Sequence, residues 1–145
     1  MFLFVRIDCP ISNRYAPTVK QLCHDFSDRD VDFYLVYVDP QQAAAEIAAH
    51  RKDYSYPCTA LCDRDHHFVD RVEARVTPEA VVIDGAGQLV YRGRIDNRFV
   101  DFGKTRQQTP QNDLALALEA VLAGRAIEVP VTRAVGCFIG DLKTD

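Results

Sequence analysis

No stretch of this chain approaches the roughly 20 consecutive apolar residues that cross a bilayer, and the opening run from Phe2 to Val5 is too short for the apolar core of a secretory signal. As written, the sequence reads as cytoplasmic; an exported location is expected instead if its start is a truncation. Basic charge is not in excess either: 17 Lys and Arg stand against 21 Asp and Glu, for a net charge of -4. Nucleic acids and membrane surfaces are held by accumulated cationic charge, so neither is expected as a partner. Arg92, Arg94 and Arg98 form the one local basic cluster. Cysteine is sparse and irregularly spaced. Cys9, Cys23, Cys58, Cys62 and Cys137 cannot build the disulfide framework of a small secreted scaffold, and an odd count leaves at least one thiol unpaired in a monomer. Internal repeats are missing, and 145 residues at 48% hydrophobic support one core rather than two.

What is present begins at the first strand-length run. Phe2 to Asp8 leads directly into Cys9 and Pro10, and a proline at this place suits the first position of a helix. That arrangement sets a thiol at the positive end of a helix, where amide groups and the helix dipole favour the thiolate, the nucleophilic form. Ile11, Tyr15, Val19, Leu22 and Phe26 follow at helical spacing and predict one helix from Pro10. Val31 to Val38 is a near-continuous β-branched and aromatic run, as a central strand buried on both faces requires. A second helix is expected over 41–53, a short strand over 58–61 and a short helix over 67–74. Two apolar runs around Gly85-Ala86-Gly87 then make a β-hairpin. The segment from Asp96 to Thr109 reads as a polar loop, and a last helix runs from about Asn112 to Ala123 with Gly124 as its stop.

The order β-α-β-α, hairpin, helix is that of a thioredoxin-like domain: a three-layer α/β/α sandwich with a central mixed β-sheet, expected over 1–124, with a tail over 125–145 that carries Cys137. Asp8-Cys-Pro-Ile-Ser-Asn-Arg-Tyr-Ala-Pro17, Thr77-Pro-Glu79 and Tyr91-Arg-Gly-Arg-Ile-Asp96 together resemble the redoxin group that contains alkyl hydroperoxide reductase and thiol-specific antioxidant. The resemblance implies a thiol-dependent oxidoreductase without a cofactor, acting on a protein disulfide or a small peroxide and reduced by a thiol partner. It also implies a cis Thr77-Pro78 bond. Peroxiredoxins share a Pro-x-x-x-Thr-x-x-Cys motif whose proline and threonine shape the peroxide pocket; here Phe2 and Arg6 hold those positions, which favours disulfide exchange over peroxide reduction.

Topology places further residues. If the hairpin runs antiparallel to the first strand, Pro78, Arg94 and Asp96 return to the edge where Cys9 lies, and Arg94 and Asp96 become candidates for substrate binding or for tuning the thiol. Ser12 shares a helix face with Cys9, and its hydroxyl is a donor that cannot itself form a disulfide. Any resolving thiol must come from elsewhere. Cys23, fourteen positions along the same helix, would be about 21 Å from Cys9; it reads as core. The chain after the last helix is long enough for Cys137 to return, as a resolving thiol or as an apolar anchor, and the Gly136-Cys137 pair resembles a tail cysteine found in redoxin relatives. Two other readings compete: a non-catalytic binding or redox-sensor module, and copper or zinc binding through Cys58 and Cys62 with His66 and His67 alongside.

Overall fold

The computed structural model describes residues 1–107 and 110–142; Gln108 and Thr109 of the expected loop and the last three residues of the tail lie outside the described residues. In chain order the elements are β1 (Phe2–Val5), α1 (Pro10–Arg14), α2 (Ala16–Asp25), β2 (Tyr34–Tyr37), α3 (Ala44–Asp53), β3 (Thr59–Cys62), α4 (His67–Val72) and β4 (Val76–Thr77). They continue with β5 (Glu79–Ile83), β6 (Leu89–Gly93), β7 (Phe99–Asp101), β8 (Lys104–Thr105), α5 (Asp113–Leu122) and β9 (Cys137–Phe138). A five-stranded sheet in the order β3-β2-β1-β5-β6 forms the centre. β1, β2 and β3 are parallel, and β5 and β6 are added antiparallel, so the sheet is mixed.

Strand alternation explains why the central runs are apolar throughout. Leu3 and Val5 of β1, Leu35 and Tyr37 of β2, and Ala80 and Val82 of β5 face one layer, where they pack with Ile11, Val19 and Leu22 of the first helices and Leu114 and Leu118 of α5. Phe4, Val36 and Val81 face the other, with Val69 and Val72 of α4 and Ile139 of the tail. Covering both faces removes the polar positions that a half-exposed sheet would show.

Two expectations need correction. The helix from Pro10 is broken at Tyr15, because Pro17 has no N–H to give the Asn13 carbonyl and so stands at the start of a new helix. The segment after Asp96 holds the small β7-β8 hairpin; its outward Val100 and Phe102 are exposed and carry no burial pattern that a sequence reading could find. The chain after α5 returns along the sheet edge. Gly124 adopts a φ of +66°, which ends the helix, and the returning strand exchanges hydrogen bonds with Arg92 through Pro130 and Thr132. It then pairs with β4 as β9, with Val76 opposite Phe138 and Thr77 opposite Cys137.

Candidate active site

The chain leaves β1 at Val5 and turns through Ile7 and Asp8, which sets Cys9 as the N-cap of α1 with Pro10 as the first helical residue. Because β5 is antiparallel to β1 and pairs Glu79 with Phe4, Pro78 arrives at the same sheet edge. The Thr77–Pro78 peptide bond is cis. Glu79, which the sequence reading did not single out, is 5% exposed and accepts the Arg75 and Val76 amides at 2.6 and 3.3 Å. Its carboxylate thereby ties down the backbone of β4 beside the sulfur.

Cys9, Ser12, Thr77, Pro78 and Cys137 come together. As a thiol, Cys9 donates to the Thr77 carbonyl at 3.1 Å, and its sulfur accepts the Ser12 amide at 3.4 Å. Thr77 is in turn the ladder partner of Cys137, and its hydroxyl donates to the Cys137 carbonyl at 3.5 Å. Burial opposes ionisation of Cys9, but hydrogen bonds to the anion, from the Cys137 thiol first and then from Ser12, outweigh it, so Cys9 titrates below its ordinary value. The Ser12 hydroxyl is near enough to favour that anion, although it makes no hydrogen bond of ordinary geometry. Cys137 is pushed up to about 12, by its own burial first and then by donating to Cys9 and facing its charge.

The thiol is not open to solvent. Cys9 is only 1% exposed and packs within the apolar core, contrary to an accessible helix-end nucleophile, yet its sulfur keeps three polar neighbours: the Ser12 amide, the Thr77 carbonyl and the Cys137 thiol. Gly136 makes this close approach feasible, since a Cβ there would collide with the Thr77 carbonyl.

Arg94 and Asp96 are engaged elsewhere. Arg94 makes an ion pair at 2.7 Å with Asp113, which is 6% exposed. Asp96, 2% exposed, accepts the Tyr15 hydroxyl at 2.6 Å and the Arg98 amide at 2.9 Å. Both side chains therefore bind β6 and its following loop to the helices instead of facing the thiol. Arg6 and Asp8 pair with each other at 3.0 Å, and their charges act on Cys137 in opposite senses.

The metal alternative is not assembled. Among the described residues no three His, Cys, Asp or Glu side chains are grouped to hold an ion. Cys62 is exposed, His66 is buried against the Val38 carbonyl at 2.8 Å, and Cys58 meets Cys23 instead. Behind α1, His50 links Asn13 and Tyr37 at 2.8 and 2.9 Å. The Asn13 amide nitrogen donates to Ile7, so its oxygen accepts from His50 Nε2, and burial disfavours the charged ring.

Residues 1–92 match the model of the AhpC/TSA family. Among solved structures, an uncharacterized conserved protein from Geobacillus kaustophilus is similar at 21% identity and a TM-score of 0.83, covering 99% of this chain and 77% of that one. A hypothetical protein from Sinorhizobium meliloti gives 21% and 0.80, with coverages of 95% and 76%. A secreted disulfide oxidoreductase of Mycobacterium tuberculosis, homologous to E. coli DsbE, gives 20% and 0.52, with 61% and 63%. At these identities the likeness is one of fold, and that fold is thioredoxin-like. No curated protein matches the sequence.

Proposed function

Because the chain belongs to the AhpC/TSA family, we propose that it is a thiol-disulfide oxidoreductase in which Cys9 is the nucleophile and Cys137 the resolving thiol. The Cys9 thiolate attacks one sulfur of a substrate disulfide, a mixed disulfide forms, and the other substrate sulfur leaves as a thiolate that takes up a proton. Cys137 then loses its proton and attacks the Cys9 sulfur, which closes a Cys9-Cys137 disulfide and releases the second substrate thiol. A thiol partner returns two electrons and two protons to reset the pair. The negative charge on Cys9 is one of the causes that hold Cys137 protonated. That cause vanishes once Cys9 is in the mixed disulfide, so the resolving thiol gains reactivity at the step that needs it.

The observation that carries this reading is the meeting of both thiols at Thr77: Cys9 bonds to its carbonyl, and Cys137 is its ladder partner. A protein disulfide suits the site better than a small peroxide. The β4 edge is a backbone surface for an extended chain, at present filled by β9, while Arg6 replaces the threonine of the peroxiredoxin motif. Substrate therefore gains the sulfur when the tail strand lifts. The test is reduction of a model peptide disulfide, with hydrogen peroxide as a parallel substrate. Cys9→Ser is expected to fall to background, and Cys137→Ser to accumulate a trapped mixed disulfide. Full activity of Cys9→Ser would overturn the assignment and leave a binding module.

A further inference from the structure

Two other thiols meet in this molecule, away from Cys9. Cys23 lies in the last turn of α2, and Cys58 immediately precedes β3; their sulfurs are 3.1 Å apart although 35 positions separate them in sequence. No sequence spacing marks them as partners. The nearer cysteine in sequence, Cys62, four residues on from Cys58, is exposed at the far end of β3. The pair is also held in place. Arg51, in the last turn of α3, donates through its guanidinium to the Cys58 carbonyl, which fixes the backbone that carries this sulfur.

We propose that Cys23 and Cys58 form a second dithiol-disulfide couple, which clamps α2 to the start of the edge strand β3 when a low-molecular-weight disulfide oxidises it. Access and chemistry divide between the two. Cys23 is partly exposed, whereas Cys58 is 3% exposed. Cys58 is the more acidic partner, chiefly because the Cys23 thiol donates to it, with the Arg51 charge assisting; Cys23 is correspondingly held up by that same bond. The hydrogen bond between the two sulfurs is the path along which the Cys23 proton passes to Cys58 as the more exposed sulfur bonds to the oxidant. The Cys23 sulfur attacks the oxidant RSSR, giving a mixed disulfide and a thiolate RS−. Cys58 passes its proton to solvent and attacks the Cys23 sulfur, forming the Cys23-Cys58 bond and expelling the second RS−. Both RS− are protonated, so two protein thiols and one RSSR yield one protein disulfide and two RSH, with two electrons moved to the oxidant.

This couple stands apart from the chemistry at Cys9 and does not rest on it. The test uses the chain with Cys9→Ser, Cys62→Ser and Cys137→Ser, equilibrated in glutathione buffers of rising GSSG to GSH ratio. Loss of both remaining thiols together is expected, with a Cys23 peptide linked to a Cys58 peptide on non-reducing digestion and no persistent glutathione adduct. Two free thiols at every ratio, or adducts that never resolve, would overturn the proposal. Non-reducing peptide mapping of the wild-type chain after the same treatment gives an answer should the triple variant fail to fold: a Cys23-Cys58 link supports the couple, and its absence refutes it.

Discussion

Replacing Gly136 with alanine tests how the tail controls the nucleophile. The added Cβ would press on the carbonyl carbon and oxygen of Thr77 and on the Pro78 nitrogen. All three are backbone atoms, so no side-chain rotation relieves the collision. Overpacking of this kind costs about 1–3 kcal/mol. Against it, the docked tail is held by a two-residue ladder, by the Ile139 amide bonded to the Arg75 carbonyl at 2.9 Å, and by the buried Ile139 side chain. That side chain is worth about 1.5–3 kcal/mol. The clash matches what this anchor contributes, so the substitution shifts the tail toward its released state. At about 1.4 kcal/mol per factor of ten, the open fraction rises about 5- to 100-fold.

The assay is the rate of iodoacetamide labelling of Cys9 against pH, with adduct positions read by peptide mapping. Release of the tail raises the plateau rate by uncovering the sulfur, and it changes the apparent pKa of Cys9 by relieving burial, which acts downward, and by removing the Cys137 donor, which acts upward. The two effects separate in one profile. A Gly136→Ala chain that is folded and labels with the wild-type profile would refute the view that β9 covers the thiol.

Two further outcomes follow from contacts away from the sulfur. Arg94→Gln should leave Cys9 labelling unchanged but lower stability in urea by about 1–3 kcal/mol, since it strips a partner from the buried Asp113 carboxylate; a changed labelling rate would return Arg94 to the site. His50 titrates below its ordinary value because burial disfavours the imidazolium. The unfolded chain therefore binds the proton more readily, and stability should fall as pH drops through about 6.5 toward the lower folded pKa. A His50→Gln chain should show a flatter acid limb in urea titrations at stepped pH, and an unchanged limb would count against His50 as its source.

Much of the fold was legible because it is written in local patterns. The apolar β2 run, the glycine turn of the hairpin and the Cys9-Pro10 junction each depend on a few adjacent residues, and all three carry their expected elements. The break at Tyr15 has a local sign too, the missing amide of Pro17, which opposes the helical spacing of the apolar residues around it. Arg94 and Asp96 illustrate the opposite case. Their return toward the reactive edge followed from topology, but their partners, Asp113 on α5 and Tyr15 at the junction of α1 and α2, belong to elements whose placement no spacing in β6 specifies.

The sequence by itself determined a parallel β-α-β start with a cysteine capping the first helix, since strand run, proline and helix period are short-range properties. Only the tertiary structure decided which sulfurs meet. Cys137 reaches Thr77 across 60 positions and Cys23 reaches Cys58 across 35. The first contact depends on ladder register, where a slip of one residue turns a side chain to the other face. The second depends on how a helix packs on a sheet edge. Gly136 permits the first contact, but the residues beside the cysteines specify neither partner.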